Sequence, residues 1–115
     1  MKTDAFLMGA ETAVEELGDG IRRQILGFNN QIMMVKVWFE EGSQGYIHSH
    51  FHSQVTYVAE GEFEVTVGTE TRTLVEGDCF FMEPNVDHGA ICKRSGVLID
   101  VFSPVREDFL EENSA

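Results

Sequence analysis

With 115 residues, 43% of them hydrophobic and 10% aromatic, the chain has ordinary globular composition and room for one core, so a single domain over 1–115 is expected. A net charge of −12, with eight Lys and Arg against twenty Asp and Glu, argues against nucleic acid and anionic membrane as partners, since both are bound by clustered basic side chains. No apolar run approaches membrane-spanning length and the patch in MKTDAFLMGAET is too short for a secretory signal, so a cytoplasmic protein is expected.

Residues 1–20 read as a lead-in, in which Thr12 is predicted to cap a helical turn with Glu15 three residues on, stopped by Gly18 and Gly20. The runs IRRQILG (21–27) and QIMMVKVWFE (31–40) read as two strands joined at Asn29-Asn30. In the second, Met33, Val35, Val37 and Phe39 make one apolar face, but Ile32, Met34 and Trp38 make the other face apolar too. A strand apolar on both faces in so small a protein calls for a cover, either a second subunit, giving a homodimer, or the N-terminal segment.

The next stretch, Gly42 to Gly61, holds three of the four histidines and a glutamine within seven residues. In an extended strand His48, His50, His52 and Gln54 share one parity, so up to four ligand atoms could face one way. Neutral imidazole is the commonest ligand for Zn, Ni, Cu and Fe, so this is the pattern of a metal site still in need of a ligand from elsewhere. His88 is the one histidine left, after the turn-rich Pro84-Asn85-Val86-Asp87.

Beyond the histidines, Gln54 to Ala59 is predicted to reach a tight turn at Glu60-Gly61 and return as EFEVTV, with Phe63, Val65 and Val67 on one face. TRTLV, the Gly77-Asp78 corner, CFFME, the Pro84-Asn85 turn, HGAIC and finally VLIDVFS follow. Short strands broken by Gly or Pro every eight to twelve residues or roughly so point to an all-β barrel or sandwich over 21–103. Cys79 and Cys92 show no CxxC spacing and read as buried free thiols in strands, with one disulfide the less favoured alternative. From Pro104, Val105, Phe109 and Leu110 fall at helical spacing, so a short turn or helix is expected over 104–115.

Two residues near the C-terminus carry chemical interest. Asp100 lies in the apolar run VLIDVF, where a carboxylate is costly unless it is paired or functional, and it is a candidate proton carrier. Arg106, six residues on, has a guanidinium fork suited to a carboxylate. The plainer reading is a structural Asp100–Arg106 pair.

The spacing Gly42, five residues, His48-x-His50, three residues, Gln54, six residues, Gly61 resembles the first cupin motif, which usually has Glu in place of Gln54. Gly77 through Pro84 and on to His88 resembles the second, with one residue more than usual before the proline. The resemblance implies a double-stranded β-helix, or jelly roll, and carries the family's metal ligands onto His48, His50, Gln54 and His88, with His52 an extra. It also implies one divalent transition ion, for which Zn, Ni, Fe and Mn are equally suited by three histidines and an amide. Because Gln54 is neutral, such an ion keeps its full dipositive charge, which favours polarising an oxyanion over activating oxygen.

More narrowly, Asp100 to Leu110, Gln54 to Val58 and Glu83 to Gly89 resemble the KdgF group of cupins of pectin and alginate degradation, over nearly the full length. That group opens 4,5-unsaturated monouronates into linear 4-deoxy-5-keto uronates. The resemblance implies a small uronate substrate, with Asp100 and Arg106 catalytic and Arg106 also gripping the acid group. Phe102, two residues from Asp100 and on its face, is a candidate to pack on the sugar ring, and Tyr46, just before His48, is a weaker one. The rival readings are a non-catalytic metal cupin that binds a sugar acid and a metal-dependent cupin dioxygenase.

Overall fold

The computed structural model describes residues 1–112. A 3-10 turn, Gly9–Glu11, leads into eight strands: β1 Glu15–Gly18, β2 Ile21–Phe28, β3 Met33–Phe39, β4 Gln44–His48, β5 Ser53–Val67, β6 Glu70–Val75, β7 Cys79–Met82 and β8 His88–Ser103. The helix α1, Glu107–Glu112, closes the described chain. The all-β expectation with a short C-terminal helix therefore holds, while residues 113–115 of the expected C-terminal segment lie outside the described residues. Every pairing is antiparallel, in the order β1-β2-β3-β8-β5-β6, with β4 joined to β8 and β7 to β5.

The lead-in departs from expectation. Thr12 does not start a helix; its hydroxyl donates to the Met8 carbonyl, and Glu15 belongs to β1, paired with Arg23. Asp19 and Gly20, at φ 54 and 81, turn β1 back onto β2, and an ion pair from the Arg23 Nε to Glu15 at 3.0 Å ties the two strands. Gln24 on β2 is 5% exposed because its amide donates to the carbonyls of Gly9 and Thr12, so the lead-in covers the outer face of β2. At the β2–β3 corner the Asn29 side chain accepts from the backbone N–H of Gln31 and Ile32, an Asx-type turn.

The two apolar faces of β3 meet different fates. Met33, Val35, Val37 and Phe39 enter the core beside Val58, Phe63, Val65, Leu98 and Phe102. On the opposite face Trp38 is half-buried under the cations of Arg22 and Lys36, whereas Met34 stays 41% exposed. Met34 lies opposite Val101, Val101 opposite Val55, and Val55 opposite Phe81, so four strands present one apolar row to solvent. Ile99, Tyr57 and Cys79 run alongside it. Cys79 is thus exposed and not buried as expected, because its parity on β7 is that of Phe81; Cys92 is buried, and both thiols are free.

Two predicted breaks are absent. Glu60-Gly61 is no hairpin turn, and HGAIC and VLIDVFS are one strand: β5 and β8 run past each other, paired from Ser53↔Ser103 to Val67↔His88. The register slips between Val58 and Phe63, where Gly61 (φ 90) crosses Gly96 so closely that a Cβ on Gly61 would stand 2.6 Å from the Gly96 Cα. These glycines permit a bulge and a close backbone approach, which reads from sequence like a turn.

Candidate metal centre and acid–base site

The histidines are assembled from three places. β4 ends at His48, the chain bends through 49–52, and β5 starts at Ser53, so the histidine stretch is not the continuous strand that the parity argument assumed. His88 begins β8 and lies opposite His48 across the β4–β8 ladder. One ring nitrogen from each of His48, His50 and His88 can be chosen so that all lie within 4.8 Å of one another.

Their orientation is set by the backbone. The Nδ1–H of His48 donates to the Tyr46 carbonyl at 2.8 Å, and that of His88 to the Val86 carbonyl at 2.9 Å. Because a carbonyl only accepts, the proton is on Nδ1 and each Nε2 offers a lone pair, the usual arrangement behind a metal-binding imidazole. The Nε2 of His88 is buried with no hydrogen-bond partner among the described residues, an uncompensated lone pair that a cation would satisfy. Burial first, then the Arg106 charge, lowers His50 from 6.5 to about 4, and burial lowers His88, so both stay neutral near pH 7 and free to coordinate. The site suits a divalent metal ion.

The β5–β8 register supplies the rest. Gln54 stands opposite Phe102 and Thr56 opposite Asp100, all four side chains turned inward. Gln54 Oε1 is 2.9 Å from His50 Nε2, while its Nε2 donates to the Thr56 hydroxyl at 2.8 Å and more weakly to Asp100 at 3.4 Å. The amide is thereby oriented with its oxygen toward the imidazoles. Thr56 in turn donates to Asp100 Oδ1 at 2.7 Å. Desolvation pushes the Asp100 carboxyl up to about 6, against the Thr56 hydrogen bond and the Arg106 charge, which pull it down.

His48, Gln54, His88, Asp100, Phe102 and Arg106 share one cavity of about 170 Å³. That is below the roughly 300–1,000 Å³ of drug-sized pockets, so the ligand is a small one. Phe102 is both core and cavity wall, at 2% exposure. Arg106 does not pair with Asp100; its Nε and Nη2 donate to Asp108 at 3.0 and 2.8 Å. Tyr46 points outward, 70% exposed and away from the cavity lining, and contributes its carbonyl instead. His52 leaves the cluster, directing Nε2 to the Val105 carbonyl at 3.2 Å. Sequence reasoning missed Thr56, Asp108 and Phe109; only the β5–β8 register, invisible in sequence, would have singled out Thr56.

Three neutral imidazoles and an amide oxygen, beside a carboxyl raised to about 6 and a guanidinium, can polarise a small oxyanion and move a proton. Among the described residues no helix is long and apolar enough to cross a membrane.

Comparison with known proteins gives the family. Residues 35–102 match the cupin domain family model. The pectin degradation protein KdgF of Dickeya dadantii is 46% identical over 107 residues, covering 91% of this chain and 97% of that protein. Among solved structures, an RmlC-like cupin from Shewanella frigidimarina is 53% identical, with a TM-score of 0.92 over 94% of this chain and 97% of its own. KdgF from a Halomonas species is 36% identical, with a TM-score of 0.88 over 93% and 99%.

Proposed function

The chain belongs to the cupin family, in its KdgF group, and from that membership and the cavity chemistry we propose that it opens 4,5-unsaturated monouronates into linear 4-deoxy-5-keto uronates. Such substrates are the monomers that pectin or alginate lyases leave. The observation that carries the reading is Asp100: an inward carboxyl in the same cavity as the imidazoles, raised to about 6. A site that only bound a sugar acid would gain nothing from a second carboxylate, because like charges repel.

In the substrate the ring oxygen bridges C1 and C5, and C5 is doubly bonded to C4. Asp100 takes the proton of the C1 hydroxyl, the C1–ring oxygen bond breaks as the C1 carbonyl forms, and the electron pair stays on the former ring oxygen. Asp100 then returns the proton to C4, and the enolate becomes the C5 ketone, so atoms and charge balance without a further reactant. Arg106 holds the substrate carboxylate, and Phe102 forms the cavity wall against which the ring packs. His48, His50, Gln54 and His88 would hold one divalent transition ion, which supplies Lewis acidity toward the negative charge that develops on oxygen. The proton carrier and the carboxylate grip are thus separate residues.

The same reading includes a homodimer of single cupin domains over 1–115. Its support is the exposed row from Met34 to Phe81 with Tyr57 beside it, since contiguous apolar faces on soluble proteins mark interaction sites.

The test is optical. The C4=C5 bond is conjugated with the carboxylate and absorbs in the ultraviolet, and the 5-keto product has lost that conjugation. Metallated protein should accelerate the fall in absorbance beyond the spontaneous rate; no excess rate on galacturonate-derived or alginate-derived monomers would refute the enzymatic reading.

A further inference from the structure

Arg106 is held by its backbone, by Asp108 and by Phe109, none of which has an assigned part in the chemistry, and it also packs on Phe102. Its backbone follows Val105, which is 3% exposed and pinned twice, by its N–H to the Asn30 carbonyl at 3.2 Å and by its own carbonyl to His52 Nε2. In the plane of the guanidinium, Asp108 accepts from both Nε and Nη2. The Arg106 Cζ also lies over the rings of Phe109 and Phe102, 4.1 and 5.0 Å from their centroids. Phe109 also lies 4.2 Å under the Arg23 guanidinium, which fastens α1 to β2.

Location separates the two edges of this guanidinium. Arg106 lines both the inner cavity, with Asp100, His48 and His88, and an outer cleft, with His50 and His52, whereas Asp108 lines only the outer cleft. Asp108 therefore engages the outer edge, Nε with Nη2, and leaves Nη1 outside its grip. The Arg106 side chain is 11% exposed although its partner is 52% exposed, so the pair is bidentate and half-desolvated and not a free surface contact.

We infer that Asp108 and Phe109 are positioning residues: they lock the Arg106 guanidinium by one edge and one face so that its remaining edge meets the carboxylate of a bound sugar acid in a fixed direction. This rests on the proposed uronate chemistry. An arginine has four rotatable side-chain bonds, and an unsupported one beside a cavity would bind the carboxylate without fixing where C4 lies relative to Asp100. Locking it converts charge attraction into orientation, the property on which proton transfer depends.

The sign of the effect follows. Asp108→Asn removes a negative charge that competes for the same guanidinium, which favours the anionic substrate, and removes one of the two in-plane bonds, which frees the side chain. KM should stay within about twofold while kcat falls about tenfold, a modest share of what a small misplacement at a reacting centre costs. Phe109→Leu, which keeps an apolar anchor for α1, should act in the same direction.

The experiment uses the full metallated chain, with ¹⁵N relaxation of the arginine Nε–H groups, Arg106 being assigned by the loss of its signal in Arg106→Lys. The expected result is an ordered Arg106 Nε–H in wild type, a mobile one in Asp108→Asn and Phe109→Leu, and the kcat loss at near-constant KM in both. An Nε–H as ordered in both variants as in wild type overturns the inference, as does an unchanged kcat in both, or a rise in KM alone. Were wild type itself inert on unsaturated uronates, the uronate reading would fall, and the relaxation data would still decide whether Asp108 and Phe109 hold the guanidinium.

Discussion

Thr56 and Asp100 face each other across the β5–β8 ladder, and the Thr56 hydroxyl, fully buried, donates to the Asp100 carboxyl at 2.7 Å while accepting from the Gln54 amide at 2.8 Å. One hydroxyl thus bridges Gln54, a proposed metal ligand, and Asp100, the proposed proton carrier. Thr56→Val keeps the shape and removes both bonds, leaving the Gln54 amide free to rotate its nitrogen toward the imidazoles. Hydrogen bonds to charged groups contribute about 1.5–3 kcal/mol, so kcat should fall by about 10- to 100-fold. Thr56→Ser should restore most of it; equal losses in Val and Ser variants would show that only packing at this position matters.

The ligand set makes a separate prediction. Elemental analysis of the purified protein should find about one divalent transition ion per chain, because the proposed ligands form one closed set. His48→Ala and His88→Ala should lose most of it, whereas His52→Ala should keep it, since its ring is turned to the Val105 carbonyl. Full occupancy in both the His48 and His88 variants would remove the site.

The legible part of this site was its histidine cluster, and the reason is local. The histidines lie so close in sequence that the turn between β4 and β5 keeps His48 and His50 together, with the Gln54 oxygen 2.9 Å from His50, although the stretch is not one continuous strand. His52 shows the limit, because the bend at 49–52 undid the parity that grouped it with the others. Strand faces were legible on β3, where alternation separates Met33 from Met34. Strand ends at Gly61 and Gly96 were not, since a glycine in a bulge and a glycine in a turn both supply positive φ or close approach. The Thr56–Asp100 and Arg106–Asp108 partnerships depend on register and rotamer, which carry no signature in a single sequence.

The metal-free protein should show a pH dependence of stability in which two groups oppose each other. Asp100 is raised from 3.8 to about 6, so the folded state holds that proton more tightly and the contribution is lost as pH rises from 3.8 through 6. His50 is lowered from 6.5 to about 4, so the unfolded state takes up that proton first and the contribution is lost as pH falls from 6.5 toward 4. Asp100→Asn deletes the first and leaves the second. Denaturant midpoints of the metal-stripped variant, relative to wild type, should therefore climb between pH 4 and pH 6. A difference that is flat across that window would contradict the raised Asp100.

The assembly is tested by sedimentation. If Met34, Val55, Tyr57 and Phe81 form the contact, wild type should sediment as a dimer, and Tyr57→Glu, which places charge in the centre of a 49% exposed apolar position, should yield monomers with the metal retained. A wild type that stays monomeric at high concentration would leave that face without a partner and the chemistry untouched.

The reaction itself turns on separating proton transfer from substrate grip, which Asp100 and Arg106 should do in opposite ways. Asp100→Asn keeps the shape and the bond from Thr56 but removes the group that carries the proton, so kcat for the loss of ultraviolet absorbance should fall by about 10² or more, with KM little changed. Arg106→Ala removes the carboxylate grip and the filled space under Phe109. KM should rise in every case, and kcat should fall with it because the guanidinium also orients the ring. Since the monomer opens slowly by itself, each rate is the excess over the spontaneous one, measured on protein whose metal content has been confirmed. Wild-type kcat retained in a fully metallated Asp100→Asn would remove Asp100 from the mechanism, and the proton would then have to come from solvent.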